Sequence, residues 1–206
     1  LLVFSAESLV FLAVPKTGTT ALELALRARA DIAFSKQRKH ITAQRFHNQI
    51  APFLKRAFAL VPERMAVMRA PEDQIRSWYK YRTRERLLDK DAATDTLSFD
   101  DFVRDVIRDD PPAHAQIGSQ FRFLTSARKQ LLVHHLFAYE EQPQILRFLE
   151  TRFGEPVTLQ RKNVSPPAEA PLDPDLRTRL RAARPEEFAL YDRLRDAGGH
   201  LVSDLA

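Results

Sequence analysis

The stretch from Ser8 to Glu23, SLVFLAVPKTGTTALE, constrains the fold of this chain more than any other. It opens with a nearly continuous apolar run, the pattern of a strand buried on both faces of a parallel sheet. A short polar turn follows, and then apolar residues at helical spacing: Leu22, Leu24, Ala25, Leu26 and Ala28. A strand that feeds a helix through a tight turn brings backbone N–H groups and the positive end of a helix dipole to one point, which makes an anion site. Gly18 can take a positive φ and lets the backbone approach a ligand closely. Thr19 and Thr20 offer hydroxyls and cap the helix, and Lys16 adds a full charge at the rim. Taken alone the turn is ambiguous, because any such connection can hold lysine, glycine and threonine.

The pattern repeats along the chain. Ahead of the first buried strand, LLVF forms a second short apolar run across a turn. Met65 to Met68 reads as another buried strand, running into a helix begun by Pro71 with Glu72 and Asp73 in its first turn. Ser98 and Asp101 form a capping box in front of an amphipathic helix. QLLVHHLFAYE reads as a third strand, and Pro143 opens a helix that Gly154 closes. VTLQRKNVSPP reads as a short strand and a loop, and the tail as two helices hinged at Pro185. Strands alternating with helices imply an α/β three-layer sandwich with a mostly parallel central sheet, in a single domain spanning residues 1–206. The polar segment TRERLLDKDAATDT is the best placed to overhang a site.

The net charge of +5 suits an anionic ligand, but the arginines are dispersed among acids and no run marks a nucleic-acid arm. The chain has no cysteine, which excludes disulfides, thiolate metal sites and cysteine nucleophiles. No apolar run approaches the ~20 residues of a membrane span. With no signal-peptide pattern either, the expectation is a cytoplasmic protein.

The spelling of the turn narrows its ligand. In G-x-x-x-x-G-K-[ST] loops the lysine follows the second glycine and a hydroxyl then holds Mg²⁺. Here Lys16 precedes the turn's single glycine, so the ATPase and kinase readings lack their main chemical parts. A second motif lies in MRAPEDQIRSWYKYR. Arg69 stands at a strand end, Pro71 two residues on, and Ser77 eight residues after the arginine. Positions 70, 74, 77 and 81 share a helix face, so Ala70, Gln74, Ser77 and Tyr81 form a small polar surface while Ile75, Trp78 and Tyr79 pack elsewhere. A guanidinium and a hydroxyl there can bind a phosphate.

Pro15-Lys16-Thr17-Gly18-Thr19-Thr20 resembles the 5′-phosphosulfate loop of sulfotransferases that use 3′-phosphoadenylyl sulfate (PAPS). Arg69, Pro71 and Ser77 resemble the 3′-phosphate motif of the same family. RKHITAQRF, LLVHHLFAYEE and RKNVS are similar to later segments of the small members that act on carbohydrates and other hydroxyl acceptors. The resemblance implies a P-loop nucleotide-hydrolase-like fold, PAPS as donor and adenosine 3′,5′-bisphosphate as product, no metal, and a small-molecule or carbohydrate acceptor. It implies cofactor contacts at Lys16, Thr17, Gly18, Thr19, Thr20, Arg69 and Ser77. The glycine-rich RKGxxGDWK segment of aryl and steroid sulfotransferases is absent, and Arg161 and Lys162 can stand in for it.

Sulfuryl transfer needs a base for the acceptor hydroxyl and positive charge at the leaving phosphate. Lys16 fits the second role. For the first, the resemblance favours His40, with Glu23 four residues past Thr19 as the alternative; related enzymes use either type. His114 is a third candidate, in a segment that can line the acceptor side. His134 and His135 lie in an apolar strand, and Lys39 is a possible extra contact. A non-catalytic protein of the same fold that binds nucleotide or anionic polysaccharide is the competing reading.

Overall fold

The computed structural model describes residues 1–35, 38–83, 94–159 and 171–205. Arg161, Lys162 and the rest of RKNVS lie outside the described residues, as does most of the polar segment expected over the site.

The first two apolar runs form a hairpin of β1 (Leu2–Phe4) and β2 (Leu9–Leu12), with Phe4 opposite Leu9. The chain then enters α1 (Thr19–Leu26) and returns as β3 (Ile32–Ala33) on the outer edge of β1. A helical stretch follows, from α2 (Ala43–Arg45) through a π-helical turn at Phe46–Ile50 into α3 (Ala51–Phe58). β4 (Glu63–Met68) and α4 (Pro71–Arg82) match the second strand and helix read from the sequence. After α5 (Phe99–Val106) and α6 (Gln120–Leu124) come β5 (His135–Ala138) and α7 (Gln142–Phe153). α8 (Pro174–Ala183) and α9 (Pro185–Asp196) meet at Pro185, and β6 (His200–Val202) ends the described chain.

The strand order is β3-β1-β2-β4-β5-β6. β2, β4 and β5 are parallel and form the centre, while β1, β3 and β6 pair antiparallel at the edges. The sheet is therefore mixed, and its parallel character is confined to the middle. The reason is connection length: β1 and β2 are joined by a four-residue turn, which can close only an antiparallel pair.

Helices cover both faces. Val10, Leu12, Ala66, Met68, Leu136 and Ala138 point to one face, against Phe46, Leu54, Leu124, Leu190 and Leu194. Leu9, Phe11, Met65, Val67 and Phe137 point to the other, against Leu22 and Leu26 of α1 and Ile145 and Leu149 of α7. Two apolar faces make the central strands read as unbroken apolar runs. A third cluster with no strand residue joins α4, α5 and α8 through Ile75, Phe102, Val103, Leu176 and Leu180.

Two expected strands differ. Only His135–Ala138 of QLLVHHLFAYE is extended, and Leu131 instead bridges back to Thr125. The strand expected at Val157 does not form over residues 157–159. Val157 buries against the α1–α7 face, and the edge of β5 is taken by β6. Among the described residues no helix is long and apolar enough to cross a membrane.

Candidate functional site

The register pairs Leu12 with Ala66 and Met68 with Ala138, so the carboxyl ends of the three parallel strands lie along one edge of the sheet. From that edge, residues 13–18 carry the chain into α1. Lys16 has φ +67° and Gly18 φ +71°, while Thr17 between them is not left-handed. Such alternation is the backbone of anion-binding nests. Holding a lysine in the left-handed region costs about 1–2 kcal/mol, a strain of the kind that collects at functional sites. Thr17 is buried and its hydroxyl donates to the Val14 carbonyl at 3.0 Å, closing the loop from within. The helix cap is Gly18, with no side-chain cap bond, so neither Thr19 nor Thr20 caps as expected; both sit in the first turn, Thr19 buried and Thr20 exposed. The Lys16 ammonium lies 4.3 Å from the ring centroid of Tyr81 and 5.5 Å from that of Trp78.

Arg69 follows β4 directly, and its backbone is held from both sides by Gln120. The Arg69 N–H donates to Gln120 Oε1, and Gln120 Nε2 donates to the Arg69 carbonyl, each at 2.9 Å. Gln120 is itself fixed, its own N–H donating to the buried Glu187 carboxylate at 2.9 Å. The Arg69 guanidinium lies 4.7 Å from the ring centroid of Tyr139, the residue that follows β5. That same ring packs on Gly18 so closely that a Cβ there would sit 2.6 Å from Tyr139 Cε2. Tyr139 therefore links the loop to the arginine.

α4 joins the loop on its other side. Gln74 Nε2 donates to the Pro15 carbonyl at 3.3 Å, and Tyr81 meets Lys16, so the polar face read from the sequence does turn toward the loop. Ser77 is half-buried between them in sequence on that helix. Trp78, expected to pack elsewhere, does lean on the third cluster, but its ring also meets Lys16. Six buried side-chain nitrogen and oxygen atoms lack a hydrogen-bond partner among the described residues; three of them, Arg69 Nε, Gln74 Oε1 and Trp78 Nε1, belong to this strand end and helix.

The base candidates separate. His40 Nδ1 lies 2.7 Å from the carbonyl of Ala13, the residue after β2. A carbonyl can only accept, so Nδ1 carries the proton and Nε2 is the basic nitrogen of the neutral ring. Burial holds the His40 pKa below the usual histidine value. Glu23 lies in the same cluster, its Oε2 accepting from Lys39 Nζ at 3.0 Å, so its charge already has a partner. His114 is turned to α5, 2.7 Å from Asp105 Oδ2. His134 accepts from the Arg64 N–H at 2.9 Å, and His135 begins β5; both belong to the opposite edge of the sheet. Gln120 was illegible, being 51 residues from Arg69 with no local pattern around it. Tyr139 carried one signal, its position at the end of a buried strand.

An open cleft of about 960 Å³ runs between Gln44, Gln116, Ser119, Phe121, Arg122 and Arg184. Among the described residues no group of three or more histidine, aspartate or glutamate side chains is arranged to hold a metal ion. No protein-family model matches this chain, and no curated protein matches it.

Proposed function

We propose that the chain is a sulfotransferase that takes a sulfuryl group from PAPS and passes it to a hydroxyl acceptor. One observation supports the reading: the Gly18 loop and Arg69 both meet the ring of Tyr139, and Arg69 Nε is buried with no hydrogen-bond partner among the described residues. A donor with phosphates at both ends of its ribose uses two such elements, and one phosphate would leave Arg69 idle.

The residues present fit that donor. The N–H groups of residues 16–20 and the start of α1 meet the 5′-phosphosulfate, with Thr17 contributing through its backbone because its hydroxyl is engaged. Arg69 and Ser77 meet the 3′-phosphate. PAPS supplies an activated sulfuryl group: the acceptor oxygen forms a bond to sulfur as the bond from sulfur to the 5′-phosphate oxygen breaks. Lys16 counters the negative charge that collects on the departing phosphate. His40 Nε2 takes the acceptor proton, and its Nδ1 bond to Ala13 keeps the ring oriented for this. Glu23 and Lys39 frame His40.

The test is thermal. Adenosine 3′,5′-bisphosphate should raise the melting temperature, by the equivalent of about 2.7 kcal/mol at a hundred times its dissociation constant. Adenosine 5′-monophosphate should give much less. No shift at millimolar bisphosphate removes the proposal, and equal shifts from both nucleotides mean that Arg69 reads no second phosphate.

A further inference from the structure

The segment between Asp31 and Glu63 is set apart by what it lacks. From Ile32 to Pro62 there is no aspartate or glutamate, and there are six lysines and arginines. The other 26 basic residues face all 27 acidic ones, so this one stretch carries the chain's net charge of +5. Lys36, Arg38 and Lys39 cluster in sequence ahead of His40, and Arg45, Lys55 and Arg56 follow along the helices.

In the fold this stretch holds the π-helical turn and α3. Leu54 is the one buried residue of α3. Phe53 is 48% exposed, Phe58 61% and Val61 69%, three of the five large hydrophobic side chains exposed among the described residues. The rings of Phe53 and Phe58 meet edge to face with centroids 5.7 Å apart, which makes them one apolar knob. Arg45, Lys55 and Arg56 are exposed on the same stretch.

The combination selects the partner. A polyanion in water engages the basic residues and has no use for the exposed rings. An apolar protein surface engages the rings and gains nothing from the missing acids. A bilayer with anionic headgroups uses both, because aromatic rings enter the headgroup boundary while lysine and arginine stems reach back to phosphate and carboxylate. We propose that α3 and Val61 dock on an anionic lipid surface, with Phe53 and Phe58 entering the interface and Lys55 and Arg56 among the headgroups. This is attachment from one side, and it does not depend on the sulfotransferase reading.

Co-sedimentation of the chain with vesicles tests it. Vesicles of phosphatidylcholine with about a third phosphatidylserine should bind the chain at least roughly tenfold more tightly than pure phosphatidylcholine, and added salt should weaken the binding. Phe53→Ser with Phe58→Ser should lower the affinity roughly tenfold, and Lys55→Glu with Arg56→Glu at least as much. All four side chains are exposed, so melting temperatures should hold; if the phenylalanine pair proves destabilising, Val61→Ser replaces it. Failure to bind anionic vesicles overturns the proposal. Binding indifferent to the apolar substitutions overturns it too, since charge alone then suffices. So does self-association in sedimentation velocity that vanishes with Phe53→Ser and Phe58→Ser, which would make a second copy the occupant.

Discussion

Around the amino ends of β4 and β5, Glu63 accepts from Arg152 and lies 3.4 Å from His135 Nε2, while His135 Nδ1 lies 3.2 Å from His200 Nε2. The rings of Phe137 and His200 stack at 4.0 Å beside this cluster, in which His135 Nε2 and Arg64 Nε have no hydrogen-bond partner among the described residues. Along the carboxyl ends of β2, β4 and β5 the polar side chains are instead anchored to backbone: His40 to Ala13, Gln74 to Pro15, Gln120 to Arg69. That anchoring orients each group; among the described residues, buried atoms without a hydrogen-bond partner occur both here, at Arg69 Nε, Gln74 Oε1 and Trp78 Nε1, and away from it, at Arg29 Nη1, Arg64 Nε and His135 Nε2. The difference teaches that a count of histidines or arginines does not find a site.

The largest effect expected from this division is on turnover. His40→Ala should lower sulfate transfer by about 10²–10⁴-fold, the range for a lost general base, while the bisphosphate still produces its thermal shift. His135→Ala, at the other edge, should leave transfer unchanged and lower the melting temperature. If Glu23→Gln abolishes transfer and His40→Ala does not, the two exchange roles. If neither matters while the bisphosphate binds, the site binds without catalysing.

Binding comes next in size. Arg69→Ala should weaken the bisphosphate by roughly 1.5–3 kcal/mol, the worth of a charged hydrogen bond, as read by calorimetric titration. Arg152→Ala removes an arginine of the opposite edge from Glu63 and should not change that affinity. Equal losses from the two variants would mean that the nucleotide is not at the carboxyl edge.

A smaller effect isolates the contact on Tyr139. Gly18→Ala and Gly154→Ala both put a Cβ at positive φ, +71° and +69°, for about 1–2 kcal/mol of stability each. The Cβ at Gly154 meets nothing within 4 Å, while the one at Gly18 drives the Tyr139 ring aside and disturbs its contact with Arg69. Gly18→Ala alone should therefore weaken bisphosphate binding. Should Gly154→Ala weaken it as much, the effect is general strain and Tyr139 does not link the two elements.

What the sequence disclosed follows the same line. β2 with its turn and β4 with α4 were legible because a strand buried on both faces is an apolar run, and because Pro71, Glu72 and Asp73 mark a helix start. The two-residue β3 and the three-residue β6 were not, since neither is long enough to show a period. In the site, Lys16, Gly18 and Arg69 stood out by motif and His40 by its segment. Gln120 and the double contact of Tyr139 exist only once β4, β5 and α6 are brought together. Ser98 shows the opposite case: its cap depends on Asp101 three residues away, and the Asp101 N–H donates to Ser98 Oγ at 3.1 Å as read.

The smallest expected effect is the pH dependence, and it divides the two edges by what is read. Burial lowers the pKa of His135 and of His200, and of His134 nearby. The unfolded chain, with histidines near 6.5, then binds more protons than the folded one as the pH drops, so stability is level above about pH 6.5 and falls below it. Glu63 adds a loss at lower pH: burial raises its pKa, but Arg152 and His135 outweigh that and hold it below the ordinary value, so its contribution disappears as it protonates. His135→Gln with His200→Gln should flatten the first part of the decline in a melting series. His40 is lowered by burial as well, so His40 stays basic to below about pH 6.5 and the acid limb of transfer lies beneath that point. The double variant should leave that limb in place. If it moves the acid limb of transfer instead of the melting curve, the histidines of the amino edge are coupled to the site and the two edges are not separate.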